Sequence, residues 1–306
     1  MKKIAAFTKS NLEIGNGHLV RLSQILSCLD KNYFDIDFYC DYEVAPSWFN
    51  DINHIKTSIE NFFKLNFNEY DLILYDSYLG REELKTIKSD ILLIDDVAFY
   101  GNNKFAKYII DYNYGTTESN YTTNQKLFLG PKYFPIGKNT YPEFVENSSF
   151  NVESKNIIIS SGGVSDTNLL NLSNLIDKTT KFGDIYLMDP LSKLKSFESS
   201  RVNVIQNESL SKILNNLEFK FGIFAGGTSK YISAAFSVPS FFISRNKLEG
   251  DLIMYFEKDN LSLNIESLFN TKLNNLENNL TSVSENLNKL ISKENDSRIN
   301  TLFKNL

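Results

Sequence analysis

Residues 3–29 read KIAAFTKSNLEIGNGHLVRLSQILSCL: a short apolar run, a gap holding two glycines, then a segment whose leucines and isoleucines return every three or four residues. The run Lys3 to Thr8 predicts a strand, Gly15-Asn16-Gly17 a loop, and His18 to Leu29 a helix with Leu19, Leu22, Ile25, Leu26 and Leu29 on one side. The same unit recurs downstream. Phe34 to Cys40 alternates as a second strand. Leu72 to Tyr75, Ile91 to Ile94 and Tyr108 to Asp111 are short and apolar, and Arg81 to Lys88 carries helical spacing between two of them. Strands alternating with helices imply a parallel sheet covered on both faces, because a parallel crossover needs an intervening element.

After a polar, turn-rich passage from Glu146 to Asn156 the pattern starts again. Strands are predicted at Asn156 to Ser160, Ile185 to Met188, Val202 to Ile205, Phe221 to Ala225 and Ser240 to Ile243. Helices are predicted at Asn168 to Thr179, Ser209 to Leu217 and Ser229 to Phe236. From Ile265 onward, Leu276, Leu280, Val283, Leu287, Leu290 and Ile291 recur at helical spacing in a polar background, which predicts surface helices. A chain of 306 residues is long for one domain and suits two. The expected fold is therefore α/β, with two Rossmann-like parallel-sheet domains, 1–148 and 149–306, the second carrying the terminal helices. Two such domains face a central crevice with the carboxyl ends of their strands, where ligands bind in this class of sheet.

Composition removes several functions. Lys and Arg number 32 against 37 Asp and Glu, a net charge of −5, whereas a nucleic-acid binder needs a basic surface to replace phosphate counterions. Aromatic residues make up 13% of the chain, which is too rich for a disordered one. Cys28 and Cys40 form neither a Cys-x-x-Cys pair nor a disulfide framework, and a reducing cytoplasm is expected. The apolar run Ile4 to Phe7 is too short for a signal-peptide core. No membrane span is expected, since the most apolar passage, Tyr231 to Ile243, is broken by Ser233, Ser237, Pro239 and Ser240.

The loops after the strands carry the reactive residues. Gly15 and Gly17 permit close backbone approach, and His18 stands at a helix N-terminus, where the dipole favours the neutral imidazole that can act as a base. Arg21 follows one turn later. Asp76-Ser77-Tyr78 follows the strand Leu72 to Tyr75 and could orient a histidine or bind sugar hydroxyls, although Asp76 or Ser77 could equally cap a helix. Asp95 and Asp96 are adjacent on extended chain and point to opposite sides, so only one of them faces a ligand. In the second half, Gly162-Gly163, followed by Ser165, Asp166 and Asn168, and Gly226-Gly227-Thr228-Ser229 each stand between a strand and a helix. Two glycine- and hydroxyl-rich loops of this kind suit a diphosphate without a lysine, and neither matches the Walker pattern. His54 has no partner spacing and reads as a surface residue.

In their order and spacing these loops resemble the bacterial nucleotide-sugar hydrolases of pseudaminic acid biosynthesis and their spore-coat polysaccharide relatives, which share the two-domain GT-B architecture of glycosyltransferases. The resemblance rests on Gly15-Asn16-Gly17-His18-Leu19-Val20-Arg21, Asp76-Ser77-Tyr78, Ile94-Asp95-Asp96 and Leu129-Gly130-Pro131-Lys132-Tyr133. It continues through Gly162-Gly163-Val164-Ser165-Asp166-Thr167-Asn168 and Gly226-Gly227-Thr228-Ser229 to Asn246. It implies release of UDP from a 2,4-diacetamido-2,4,6-trideoxy sugar by water attack at the anomeric carbon with inversion, needing neither metal nor cofactor. His18 would orient or deprotonate the water, Tyr78 would contact the reacting sugar and Asp76 would position neighbouring groups. Gly15, Gly17, Arg21, Asp95, Tyr133, Gly162, Gly163, Asp166, Asn168, Gly226, Gly227, Thr228, Ser229 and Asn246 would bind the nucleotide sugar. The chain departs from the family at Ile232, where a ribose-binding glutamate is usual, and at Ser77, Gly137 and Lys247. These departures fall in nucleotide and sugar recognition. They leave two alternatives: a glycosyltransferase of this architecture using an activated sugar such as a CMP-linked nonulosonic acid, and a non-catalytic binding protein of the same pathway.

Overall fold

The structure, a computed structural model, describes residues 1–11, 15–43, 45, 47–98, 101, 103–122, 124–137, 150–162, 171–173, 176, 182–189, 201–206, 208–270 and 273–306. The chain divides into two compact units, Met1–Asn139 with Glu294–Leu306, and Thr140–Lys293.

In the first unit the strands are β1 (Lys2–Ser10), β2 (Phe34–Tyr42), β3 (Ile55–Lys56), β4 (Leu72–Asp76), β5 (Asp90–Ile94), β6 (Tyr108–Asp111) and β7 (Lys126–Leu129). They form one sheet in the order β3-β2-β1-β4-β5-β6-β7, every pair parallel. Strand parity sets two cores. Ile4, Ala6, Leu72, Leu74, Leu92, Ile94 and Ile110 point to the face covered by helix α1 (Gly17–Ser27), while Ala5, Phe7, Ile73, Tyr75, Leu93 and Ile109 point to the other. Burial on both faces explains why β4 and β6 read as uninterrupted apolar runs. The sheet order reverses between β1 and β4, the place where sheets of this class bind ligands.

In the second unit β8 (Ile157–Ser160), β9 (Ile185–Asp189), β10 (Val202–Gln206), β11 (Phe221–Ala225) and β12 (Ser240–Ile243) pair in parallel in the order β10-β9-β8-β11-β12, reversing between β8 and β11. Its helices include α2 (Ser229–Ala235), α3 (Lys247–Lys258) and α4 (Leu273–Leu287). Of the helix expected from Asn168 to Thr179, residues 171–173 and 176 are helical and the remainder lies outside the described residues.

Two expectations are corrected. Arg81 to Lys88 does not form an α-helix; only a 3-10 turn, Glu83–Thr86, is present. Arg81 is drawn inward, donating from Nε to Ser77 O at 3.1 Å and from Nη2 to Asp95 at 2.9 Å, and the eight residues are too few to hold a helix against that anchor. The terminal helices, expected in the second domain, divide between the units. Helix α5 (Asn295–Lys304) packs Ile299, Leu302 and Phe303 into the α1-side core of the first, with Phe303 edge-on to Phe34 at 6.3 Å. Asp296 accepts the amides of Ile136 and Gly137 at 2.9 and 3.2 Å, which fastens its first turn to the same unit.

Candidate functional site

The site in the first unit follows from parity. Leu74, Ile94 and Ile110 are the last apolar residues of β4, β5 and β6 on the α1 face, and two residues beyond them come Asp76, Asp96 and Tyr112. Three neighbouring parallel strands thus deliver two carboxylates and a phenol to the same place, and α1 answers with Arg21. Its guanidinium donates from Nε to Asp76 Oδ2 at 2.8 Å and from Nη2 to Asp76 Oδ1 at 2.5 Å. From Nη1 it donates to Asp96 Oδ1 and to the Tyr112 hydroxyl, each at 3.1 Å. Arg21 is 4% exposed and Asp76 fully buried, so these bonds act where water does not compete.

His18 lies one turn before Arg21. Its Nδ1 is 2.6 Å from Asp76 Oδ1. Burial pushes the Asp76 carboxyl upward, but the charge of Arg21 and the hydrogen bonds from Arg21 and His18 outweigh it and hold the group below the usual carboxylate range. An ionised carboxylate so close requires a hydrogen on Nδ1, which leaves the acceptor lone pair of the imidazole on Nε2. Arg21 Nη2, 2.9 Å from Nδ1, is then a close neighbour, because a guanidinium cannot accept that hydrogen. Tyr78 stands edge-on to the imidazole, ring centres 4.5 Å apart, and donates its hydroxyl to Asp96 Oδ2 at 2.6 Å. Burial first, then the Asp96 charge, push Tyr78 far above an ordinary phenol, so it acts as a donor and not as a base. For Asp96, burial is likewise overcome by Arg21 and by the Tyr78 hydrogen bond, and the group is held well below the ordinary range. A histidine with an oriented Nδ1–H and a basic Nε2, backed by a buried carboxylate, is the arrangement that removes a proton from a hydroxyl or water.

Gly15 takes φ 74°, a left-handed conformation suited to glycine, and Gly17 opens α1. Ser10 Oγ donates to Gly15 O at 2.8 Å, fixing the turn that leads into His18. Asp95 does not join the cluster. It lies on the opposite face, as Leu93 does, and is held by Arg81 at 2.9 Å and by Asn103 Nδ2 at 3.2 Å; the carboxylate on the His18 side is Asp96. Nor does Tyr133, which meets Phe128 edge-on at 5.7 Å and lines a groove of about 390 Å³ with Lys126 and α5 residues such as Arg298. His54 bonds the Tyr42 hydroxyl at 3.0 Å and Ile52 O at 2.7 Å, a structural role.

In the second unit the loops after β8, β11 and β12 converge at the strand-order reversal. Gly162 has φ 80°, and a Cβ placed on it would stand 3.3 Å from Ser229 Oγ, so these two glycine-bearing loops touch. Gly163, Asp166 and Asn168 lie outside the described residues. Lys230 is 2% exposed, and its Nζ donates to Gly226 O at 2.7 Å, clamping the turn from beneath. Arg245, which sequence reasoning missed, follows β12. It donates from Nη1 to Ser161 O at 3.2 Å and from Nη2 to Glu249 at 2.5 Å, and that Nη2 lies 3.6 Å from the Cβ position of Gly227. The glycine loops therefore have a cation beside them after all. Asn246 is occupied as the N-cap of α3, accepting from Glu249 N at 2.9 Å, and Ile232 is only partly buried.

No protein-family profile and no curated protein matches the chain. Solved structures do. A Phytolacca americana UGT2 complexed with UDP-2-fluoro-glucose and pterostilbene aligns with 99% of this chain and 98% of its own at 9% identity, TM-score 0.67. The spinosyn rhamnosyltransferase SpnG aligns with 100% of this chain and 99% of its own at 9% identity, TM-score 0.67. MnaA of S. aureus with UDP aligns with 99% and 96% at 10% identity, TM-score 0.62. The chain has the GT-B fold, two Rossmann-like parallel-sheet domains with helices. Among the described residues no helix is long and apolar enough to cross a membrane.

Proposed function

We propose that this protein is a cytoplasmic enzyme acting on a nucleotide-activated sugar, with chemistry in the first unit and diphosphate binding in the second. The observation that carries the reading is the His18–Asp76–Arg21 cluster at the strand-order reversal, a hydroxyl-activating base preorganised by buried charge. Hydrolysis is the favoured reaction: Nε2 of His18 takes a proton from water as the water attacks the anomeric carbon. The C–O bond to the diphosphate breaks, and the leaving charge falls on the nucleotide. Gly162, Gly227, Thr228 and Ser229 offer amides and hydroxyls to that diphosphate, and Arg245 offers a cation. Asp76 orients the imidazole, and Tyr78 and Asp96 fix the ring and the guanidinium around it. The order of the motifs supports a diacetamido-trideoxyhexose as the sugar and a surface-glycan pathway as the setting.

Transfer to a sugar hydroxyl is the second reading, supported by solved neighbours of the same fold that are glycosyltransferases by name. Both readings need the nucleotide. Calorimetric and thermal-shift titration with UDP, CMP and GDP should give binding by one of them, since a ligand of the folded state raises its stability by mass action. UDP binding supports the hydrolase, CMP preference supports the transferase, and no binding by any of the three contradicts both.

A further inference from the structure

Asp111, at the end of β6, is fully buried and belongs to none of the groups above, yet it gathers five donors. Its Oδ2 accepts the amide of Val97 at 2.6 Å, the hydroxyl of Tyr121 at 2.7 Å and that of Thr116 at 3.0 Å. Its Oδ1 accepts Asn113 N at 2.9 Å and Asn113 Nδ2 at 2.8 Å. The same Asn113 amide donates to Asp96 Oδ1 at 2.8 Å.

The two residues after Asp96 are the reason this cage matters. Val97 and Ala98 stand consecutively at φ 47° and 56°. The left-handed region is uncommon for any side-chain residue and an outlier for a β-branched one, and it persists only where the surroundings enforce it. Here the enforcing contacts are visible: Asp111 holds the Val97 amide, and the Tyr121 hydroxyl receives the Ala98 amide at 3.3 Å. Relaxed to the ordinary extended or helical regions, this backbone would re-aim Asp96, which the strained turn delivers to Arg21 and Tyr78.

We propose that Asp111 is a positioning residue. Its carboxylate holds Val97 and Ala98 in left-handed backbone and so sets Asp96 against Arg21 and Tyr78, the groups that in turn fix His18. The proposal rests on the reading of His18 as the base. Burial, and then the Asp96 charge, raise the Asp111 carboxyl to about 6, against the lowering effect of the hydrogen bonds from Asn113, Tyr121 and Val97.

The test is a glycine rescue. In Asp111→Asn one acceptor oxygen becomes a donor; turnover should fall at least tenfold through kcat, with UDP affinity unchanged within about twofold. Adding Val97→Gly should restore most of the loss, because glycine adopts positive φ without being held. Tyr121→Phe, which keeps the carboxylate, should give a smaller loss in the same direction and serves if Asp111→Asn folds poorly. A readout independent of turnover separates this proposal from the enzyme reading: the ¹⁵N resonances of the His18 ring should shift in Asp111→Asn and return with Val97→Gly. Unaltered His18 resonances and turnover in Asp111→Asn would overturn the proposal, as would a loss that Val97→Gly does not relieve. Absent turnover in the wild type, with His18 resonances that follow the pattern above, would overturn the enzyme reading and leave the positioning role standing.

Discussion

The two sheets share one plan and use it in opposite ways. In each, the first strand lies inside the sheet, the order reverses beside it, and residues of the loops after the reversing strands meet. In the first unit β4 and β5 lead into charge: Asp76 and Asp96 both pair with Arg21 of α1 out of water, with His18 set on the edge of the cluster. In the second unit β8 and β11 lead into Gly162 and Gly226-Gly227-Thr228-Ser229, where backbone and hydroxyls are presented beside Arg245, a guanidinium about a third exposed. Fixed buried dipoles and charges suit a step in which a proton moves, because they need not reorganise when it does. Backbone amides beside a pliable cation suit a diphosphate, whose several oxygens need many donors. On the function proposed above, the same turn of the fold would serve reaction in one unit and recognition in the other.

That contrast can be broken by mutation. The largest expected effect is for His18→Ala, which should lower turnover by about 10²- to 10⁴-fold, the range for loss of a general base, while UDP affinity changes less than about twofold. Steady-state kinetics with calorimetry on the same variant reads both, and a parallel loss of affinity would merge the two roles. Next, removing Arg21 and removing Arg245 should have unequal consequences for folding. Arg21→Met leaves Asp76 and Asp96 buried without their cation and should cost about 3–5 kcal/mol in urea unfolding. Arg245→Met leaves one buried carboxylate, Glu249, without its cation, where Arg21→Met leaves two, and the guanidinium it removes is about a third exposed; it should cost less, about 1–3 kcal/mol, while weakening nucleotide binding. Equal stability losses would contradict the division.

The pH dependence of stability sharpens the same point. Asp76 and Asp96, held low, contribute stability above about pH 4 that is lost as the pH falls through their folded values. Asp111, raised to about 6, has the opposite sign: its protonated form favours the folded state, and that contribution is lost as the pH rises from about 4 to 6. The difference of about two units corresponds to about 3 kcal/mol. Unfolding curves between pH 4 and 7 should show this fall in the wild type, and Asp111→Asn should flatten it. The smallest effect concerns the second unit. A Cβ on Gly227 meets nothing closer than 3.6 Å, whereas one on Gly226 would press Ile253 at 2.7 Å. Gly227→Val should therefore weaken UDP binding by about tenfold, near 1.4 kcal/mol, with little change in melting temperature. Gly226→Val should lower the melting temperature itself. Unchanged affinity in Gly227→Val would remove that loop from the site.

Much of the scaffold is legible because buried parallel strands announce themselves as apolar runs. Leu72 to Tyr75, Ile91 to Ile94 and Phe221 to Ala225 lie within or coincide with β4, β5 and β11. The loop after β1 is legible for a similar reason, since Gly15 and His18 sit between a clear strand and a clear amphipathic helix. Asp96 was within reach. Counting two residues on from Ile94, a residue on the α1 face, selects it over Asp95 once one knows which face α1 covers, and that knowledge is tertiary. Arg245 offers no local signal. Its bond to Ser161 O joins residues 84 positions apart, and nothing in its own neighbourhood marks it. Helix α5 misled for a physical reason: Ile299, Leu302 and Phe303 give it an apolar face, but such a face does not say which core will cover it.

Where the oxygen of water goes decides whether His18 activates it for attack on the sugar. Wild-type protein incubated with a UDP-linked diacetamido-trideoxyhexose in H₂¹⁸O should release UDP together with free sugar carrying ¹⁸O at the anomeric position, and His18→Ala should release neither. The label on the phosphate, or equal release by both proteins, would contradict it.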